Sequence, residues 1–317
     1  MARSERRAGK NWWMPPLLFV LILFACAADP RLDAGLAAPG PCAVSSQTVE
    51  VDGRRTLLTY PSQERCGEEI VAPYPAIAFA HGFTMFGLFD GARDNRGHGE
   101  HLSSWGYVVA IPGLPDDFDT RYTAMQDTLS WLEEEASDES SALYQRVDVE
   151  RLAVAGHSLG GATVLALASR DTRVRAVVAL DPVYHTGGPG GGEALWDPAE
   201  DGPRIAVPTG ILGAPASDCN ADADYARIYP EIGATHKASY TLVGGSHCDF
   251  NDPGGALCGV ICSPADPARA ELSQAYMTAW FNYYLHLDDG SYEQLYGETA
   301  DADVREGRIE REAHTEP

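Results

Sequence analysis

The stretch from Val154 to Ser169, "VAGHSLGGATVLALAS", constrains this chain more than any other. The run "RLAVAG" is long enough for a buried strand, and Leu159, Ala162, Val164, Leu165 and Leu167 suit a helix packed on a sheet. No proline or Asn-Gly pair separates the two, so the turn between them must be very tight. Gly156 and Gly160 flank Ser158 as G-x-S-x-G, and Gly161 permits close helix packing. Such a turn lifts the serine hydroxyl above the sheet edge and sets it at the free N–H groups of a new helix.

Around this turn, apolar runs alternate with amphipathic ones. Thr48–Val51 and Arg55–Tyr60 flank Asp52-Gly53 as a hairpin. Buried strands are expected at Pro75–Ala80 and in "YVVAI", "RLAVA", "VRAVVALD", "PTGILG" and "ASYTLV". Helices are expected at Glu100–Trp105, Ala124–Ala136 and Arg269–Leu287. The alternation reads as a doubly wound, mostly parallel sheet with helices on both faces, and the G-x-S-x-G turn within it is the mark of an α/β-hydrolase fold. In such sheets the chemistry lies just beyond the carboxyl ends of strands. His81-Gly82-Phe83, Ser158, Asp181 and His247 all fall there.

A serine hydroxyl needs a base, and the base needs an orienting carboxylate. The chain order expected for this turn is serine, acid, histidine. Ser158, Asp181 and His247 follow it. His185, on the loop after Asp181, competes as base, and Asp218, in "LGAPASDCNAD", is the alternative acid. His157, His81, His98, His101, His236, His286 and His314 are set aside on position. Two backbone N–H groups should hold an oxyanion, from Leu159 and from Phe83. No cofactor and no metal is called for.

The first 27 residues join a basic start (Arg3, Arg6, Arg7, Lys10) to an apolar core at Leu17–Ala25, a secretory signal too short to span a membrane. Cleavage at Ala25-Cys26-Ala27 would release the chain, whereas a lipobox reading would leave a lipid anchor on Cys26. Residues 28–41 read as a linker, 42–290 as one catalytic domain and 291–317 as an acidic, disordered tail. Six further cysteines (Cys42, Cys66, Cys219, Cys248, Cys258 and Cys262) read as disulfides of an exported protein, secreted or periplasmic. Cys42 with Cys66 would staple the N-terminal hairpin. Cys219 with Cys248 would tie two active-site loops together, with Cys258 or Cys262 as the other partners open to Cys248. A zinc reading is weaker, because Cys258 and Cys262 lack a second matched pair. With 23 basic against 46 acidic residues and a net charge of −23, the chain carries no basic surface for nucleic acid. The expected state is a monomer.

"GHSLGGATVLALASRDTRVRAVVALD" resembles the plasma-type platelet-activating factor acetylhydrolases, and "AFAHGF" with "HLSSWGYVVAIP" is similar to their H-G turn and next strand. That resemblance implies the aspartate of the A-L-D element, Asp181, as acid. "LDPV" and "SHCDFNDP" with "CGVIC" resemble chlorophyllases. The H-G turn and the L-x-S-x-G-Y-V-V element are similar to bacterial polyester hydrolases, whose acid follows the next strand. Together the likenesses cover residues 75–285. The chain departs from all three families at Asp94–Glu100 and in the glycine-rich loop after Asp181.

Phe83, Met85, Phe86, Leu88 and Phe89 crowd the loop after the H-G turn without a regular period. They read as an acyl or alcohol pocket, while some could simply plug the loop onto the domain. Residues 187–192 hold five glycines, the hinge of a lid that would carry Trp196 into that pocket. The function expected is an exported serine hydrolase of carboxylic esters. A cutinase-like polyester hydrolase is the alternative among enzymes. A catalytically inactive binding protein on the same fold is the alternative of another class.

Overall fold

The computed structural model describes residues 35–184, 196–252, 258–259 and 262–315. The leader, most of the linker, His185 and the glycine-rich loop lie outside the described residues. Nine strands form the main sheet: β1 (Val44–Val51), β2 (Arg54–Pro61), β3 (Tyr74–Ala80), β4 (Val108–Pro112), β5 (Val147–His157), β6 (Val174–Leu180), β7 (Thr209–Gly213), β8 (His236–Leu242) and β9 (Ile309–Thr315). Their spatial order is β1-β2-β4-β3-β5-β6-β7-β8-β9. The six strands from β4 to β8 in that order run parallel, and β1, β2 and β9 are antiparallel additions at the two edges. The doubly wound, mostly parallel sheet expected from the alternation is the one observed.

Among the described residues, the helices of eight or more residues are α1 (Arg96–Ser104), α2 (Phe118–Ser137), α3 (Leu159–Ala168), α4 (Pro267–Phe281) and α5 (Glu298–Arg305). Met125, Leu129 and Leu132 of α2 join Val164, Leu165 and Leu167 of α3 in the core on one face of the sheet. Leu102 of α1 and Tyr276, Met277, Trp280 and Phe281 of α4 fill the other. Both faces being covered, β3, β4 and β7 are buried along their whole length. That is why they read as continuous apolar runs rather than alternating ones. Asp117 opens α2 by accepting from Thr120 N, and Asp266 opens α4 by accepting from Ala268 N and Arg269 N.

The acidic C-terminal stretch corrects an expectation. It is an ordered part of the domain: a turn of helix at Tyr292–Leu295, then α5, then β9 paired in register along all of β8. Leu295, Ala300 and Ile309 are its buried anchors, and Tyr276 Oη donates to Asp303 at 2.7 Å. The free edge of β8 needs backbone partners, and an edge strand supplies them whatever its side chains are. Glu310, Glu312 and His314 of β9 are exposed and Arg311 pairs with Asp301, so the composition resembles disorder while the backbone is fixed.

Candidate active site

Ser158 lies between β5 and α3 with φ 60° and ψ −125°, a conformation costly for a residue with a side chain. The surrounding backbone holds it there. Ser158 N donates to Leu180 O at 2.9 Å, and Val183 N donates to Ser158 O at 3.0 Å. A Cβ on Gly160 would lie 2.0 Å from Ala80 O, so the crossing of β3 and α3 admits glycine alone. The serine side chain makes no cap hydrogen bond to its own helix.

Asp181 follows β6 and is fully buried. Its backbone N donates to Leu212 O, its Oδ1 accepts from Ala214 N at 3.2 Å, and its Oδ2 lies 2.6 Å from His247 Nδ1. A carboxylate only accepts, so the proton of this bond belongs to Nδ1 and Nε2 is left as the basic nitrogen. Asp218 is exposed on the loop beyond β7, and the carboxylate on His247 is that of Asp181.

His247 begins a single 3-10 turn, His247–Phe250, held from several sides. Asp249, fully buried, accepts from Ser246 N, Asp266 N and Arg269 Nε. His157 Nε2 donates to His247 O at 3.0 Å, and His98 Nε2 donates to Phe250 O at 3.1 Å. Burial, above all, depresses the basicity of both imidazoles and keeps them neutral, the nearby His247 adding to the effect at His157. His157 thus links the residue before the serine to the backbone of His247. Cys248 is joined to Cys258 and Cys219 to Cys262, and Cys42 pairs with Cys66. The expected Cys219–Cys248 staple is therefore wrong. The loop after β7 and the histidine turn are instead each tied to the segment that follows that turn. The sulfurs of Cys248, Cys258 and Cys262 gather within 4.8 Å. All three are spent in disulfides, which leaves no thiolate to bind a metal there.

His81 accepts from Leu114 N through Nε2 and donates through Nδ1 to Gly82 O at 2.8 Å. Burial, and then the charge of Arg121, lower its pKa to about 3. His101 bonds Leu36 O and Thr278 Oγ1, and burial lowers it to about 4. The Gly82–Phe83 peptide borders Ser158: a Cβ on Gly82 would stand 3.2 Å from Ser158 Cβ and 3.7 Å from its Oγ. Among the described residues Phe83 N–H makes no backbone hydrogen bond, and Leu159 opens α3, where the N–H has no partner in the helix.

Phe83, Met85, Phe86 and Leu88 rim this turn, with Phe86 75% and Leu88 74% exposed. Met85 and Phe86 both have positive φ, and Phe83 and Phe86 meet edge to face at 5.5 Å. Trp196 is placed otherwise than expected. It is 1% exposed, packed edge-on to Tyr184 within the core on the α2 and α3 face, so it lines no lid. An indole gains more from that burial than from solvent. Arg121, Asp116 and Asp249 escaped the sequence reading. Arg121 had a signal: it lies four residues before Met125 on the buried stripe of α2, where an arginine is out of place.

A family model described as PET hydrolase-like matches residues 26–312. Cutinase est2 of Thermobifida alba is 30% identical over 177 residues, covering 55% of this chain and 53% of that protein. Cutinase 2 of Thermobifida cellulosilytica is 30% identical over 157 residues, 49% of this chain and 55% of its own length. Cutinase cut1 of Thermobifida fusca is likewise 30% identical over 157 residues, 49% and 45% of the two chains. The chain spans about half the length of the relatives it matches.

Proposed function

The chain belongs to the PET hydrolase-like family, and from that membership we propose that it is an exported serine hydrolase cleaving carboxylic esters through an acyl-enzyme. The observation that carries this reading is the 2.6 Å contact of His247 Nδ1 with Asp181 Oδ2, taken with a serine in a strained strand-to-helix turn whose preceding residue, His157, bonds His247 O. Ser158 Oγ attacks the acyl carbon while its proton passes to His247 Nε2. Collapse of the intermediate expels the alcohol, which takes that proton. Water then repeats the sequence on the acyl-enzyme and frees the acid. Asp181 holds the imidazole in the tautomer that keeps Nε2 basic. The Phe83 and Leu159 N–H groups receive the oxyanion, each contributing about 3 kcal/mol to the transition state.

The acid in this reading follows β6, as in the acetylhydrolases the chain resembles, rather than the next strand, as in polyester hydrolases. For the substrate we favour an apolar ester, polymeric in the cutinase-like case. The relatives named cutinases support this, as does the exposed rim of Phe83, Met85, Phe86 and Leu88. Export is supported by the pairing of all six cysteines beyond Cys26, which fits an oxidising compartment. The signal and the Cys26 anchor alternative lie outside the described residues. No helix among the described residues is long and apolar enough to cross a membrane.

An organophosphonate should label Ser158, and Ser158→Ala should abolish hydrolysis of nitrophenyl esters and release of acid from polyester film. Activity surviving in Ser158→Ala overturns the assignment. A wild-type chain that resists the probe and hydrolyses none of these esters is a binding protein on this fold.

A further inference from the structure

The peptide proposed to supply one oxyanion donor is gripped from behind. Its N–H belongs to Phe83 and its carbonyl to Gly82. In a trans peptide the two point in opposite directions, so whatever holds the carbonyl aims the N–H. Gly82 O accepts from His81 Nδ1 at 2.8 Å and, at 3.5 Å, from Arg121 Nη1. The same guanidinium donates to His81 O and to Pro115 O, and its Nε lies 3.4 Å from Thr163 Oγ1. Thr163 Oγ1 in turn donates to the carbonyl of Leu159, the other donor residue, at 2.7 Å. One fully buried arginine of α2 therefore touches the H-G turn and the turn after β4, and through Thr163 it is linked to the start of α3.

Its counter-charge stands to one side. Asp116 lies 4.0 Å from Arg121 and spends its oxygens on Thr84 N, Thr84 Oγ1 and Phe86 N. Those bonds hold the positive-φ rim of Met85 and Phe86. A folded core without a special duty would rarely retain a cation at full burial, since removing it from water is costly. Placed behind a donor peptide, that cation polarises the carbonyl and raises the potential where negative charge develops.

We propose that Arg121 is a positioning residue of the oxyanion hole, aiming and polarising the Gly82–Phe83 peptide toward the anion formed at Ser158. The inference rests on the ester-hydrolase reading above. Burial draws the arginine pKa down to about 10, against the pull of Asp116, so the guanidinium remains charged at neutral pH.

The test compares wild type, Arg121→Gln and Arg121→Lys. Active sites are counted by phosphonate labelling carried to its end point. The kcat per labelled site is then measured on a soluble nitrophenyl ester, and affinity for a trifluoromethyl ketone with the same acyl chain is measured in parallel. The ketone forms an oxyanion on Ser158 and so reports the hole directly. Arg121→Gln should lower kcat about 10- to 100-fold, with KM within about threefold and ketone affinity falling by the same factor as kcat. Arg121→Lys keeps the charge but not the fork, and should lie between Gln and wild type. If the Gln variant yields no labelled sites, the Lys variant decides alone, by a loss of kcat matched in ketone affinity. Unchanged kcat per site in the variants that label, or a loss of kcat with ketone affinity unchanged, overturns the inference. A wild-type chain that is not labelled at Ser158 overturns the ester-hydrolase reading and this inference with it. A labelled wild type with unaffected variants overturns this inference alone.

Discussion

At Asp181 and Asp218 two carboxylates sit after neighbouring strands, and the proposed chemistry needs one. Local sequence separates them weakly, since each follows an apolar strand. Their surroundings differ sharply. Asp181 is buried, and the end of β7 supplies Ala214 N to its second oxygen, which leaves Oδ2 aimed at His247. Asp218 stands in solvent. Asp181→Asn removes the acceptor that selects the imidazole tautomer and should lower kcat by about 10⁴-fold, with the fold retained. Asp218→Asn should leave kcat within about twofold, as expected for an exposed side chain outside the site. Steady-state kinetics on both variants checks the assignment, and the opposite ranking would reject it.

The histidine turn is one short element carrying a large share of the site. Four kinds of restraint converge on it: the Asp249 carboxylate, two neutral imidazoles, the Asp181 bond and the Cys248–Cys258 disulfide. The two disulfides nearby close loops of different length, with sequence separations of 10 and 43. Loop-closure entropy alone assigns about 2.7 kcal/mol to the shorter and about 4 kcal/mol to the longer. Cys219→Ala with Cys262→Ala should therefore lower the melting temperature more. Cys248→Ala with Cys258→Ala should lower kcat more, because Cys248 adjoins His247. Thermal melts set beside kcat for the two double variants test both orders. Coincident losses in both quantities would mean that the two bridges act on the fold as one unit.

Across the whole molecule two charge effects oppose each other as pH falls. The net charge of −23 is self-repelling, so protonating carboxylates relieves it, mainly below about pH 4.5. The buried histidines act earlier. His81 is lowered to about 3, and His101 and His286 to about 4, with His98 and His157 also lowered, burial being the first cause at each. Between 6.5 and those values the unfolded chain binds protons that the folded one refuses. Stability contributed by neutral burial is therefore present above 6.5 and lost as pH falls, by about 1.4 kcal/mol per histidine per pH unit. His81, His101 and His286 by themselves outweigh the carboxylate relief in that window. The melting temperature should drop by roughly 10 °C or more between pH 7 and pH 5, where a larger protein shifts about 2–4 °C per kcal/mol. A flat profile by calorimetry would show that these imidazoles titrate normally in the folded chain.

The order of strands and helices, the tight turn at Ser158 and the run of polar residues at strand ends were all legible in the sequence. They depend on spacing within a few residues: period, glycine placement and the meeting of an apolar strand with an apolar helix. The C-terminal strand was not legible, because an edge strand is held by the backbone of β8, and its charged side chains carry no sign of that pairing. The partners of Cys219 and Cys248, the burial of Trp196 and the grip of Arg121 on the H-G turn were equally hidden. Each joins residues ten or more positions apart or sets the exposure of one side chain by what packs over it. Composition and periodicity carry no record of such distances, and only the packed sheet and its two helical layers decide them.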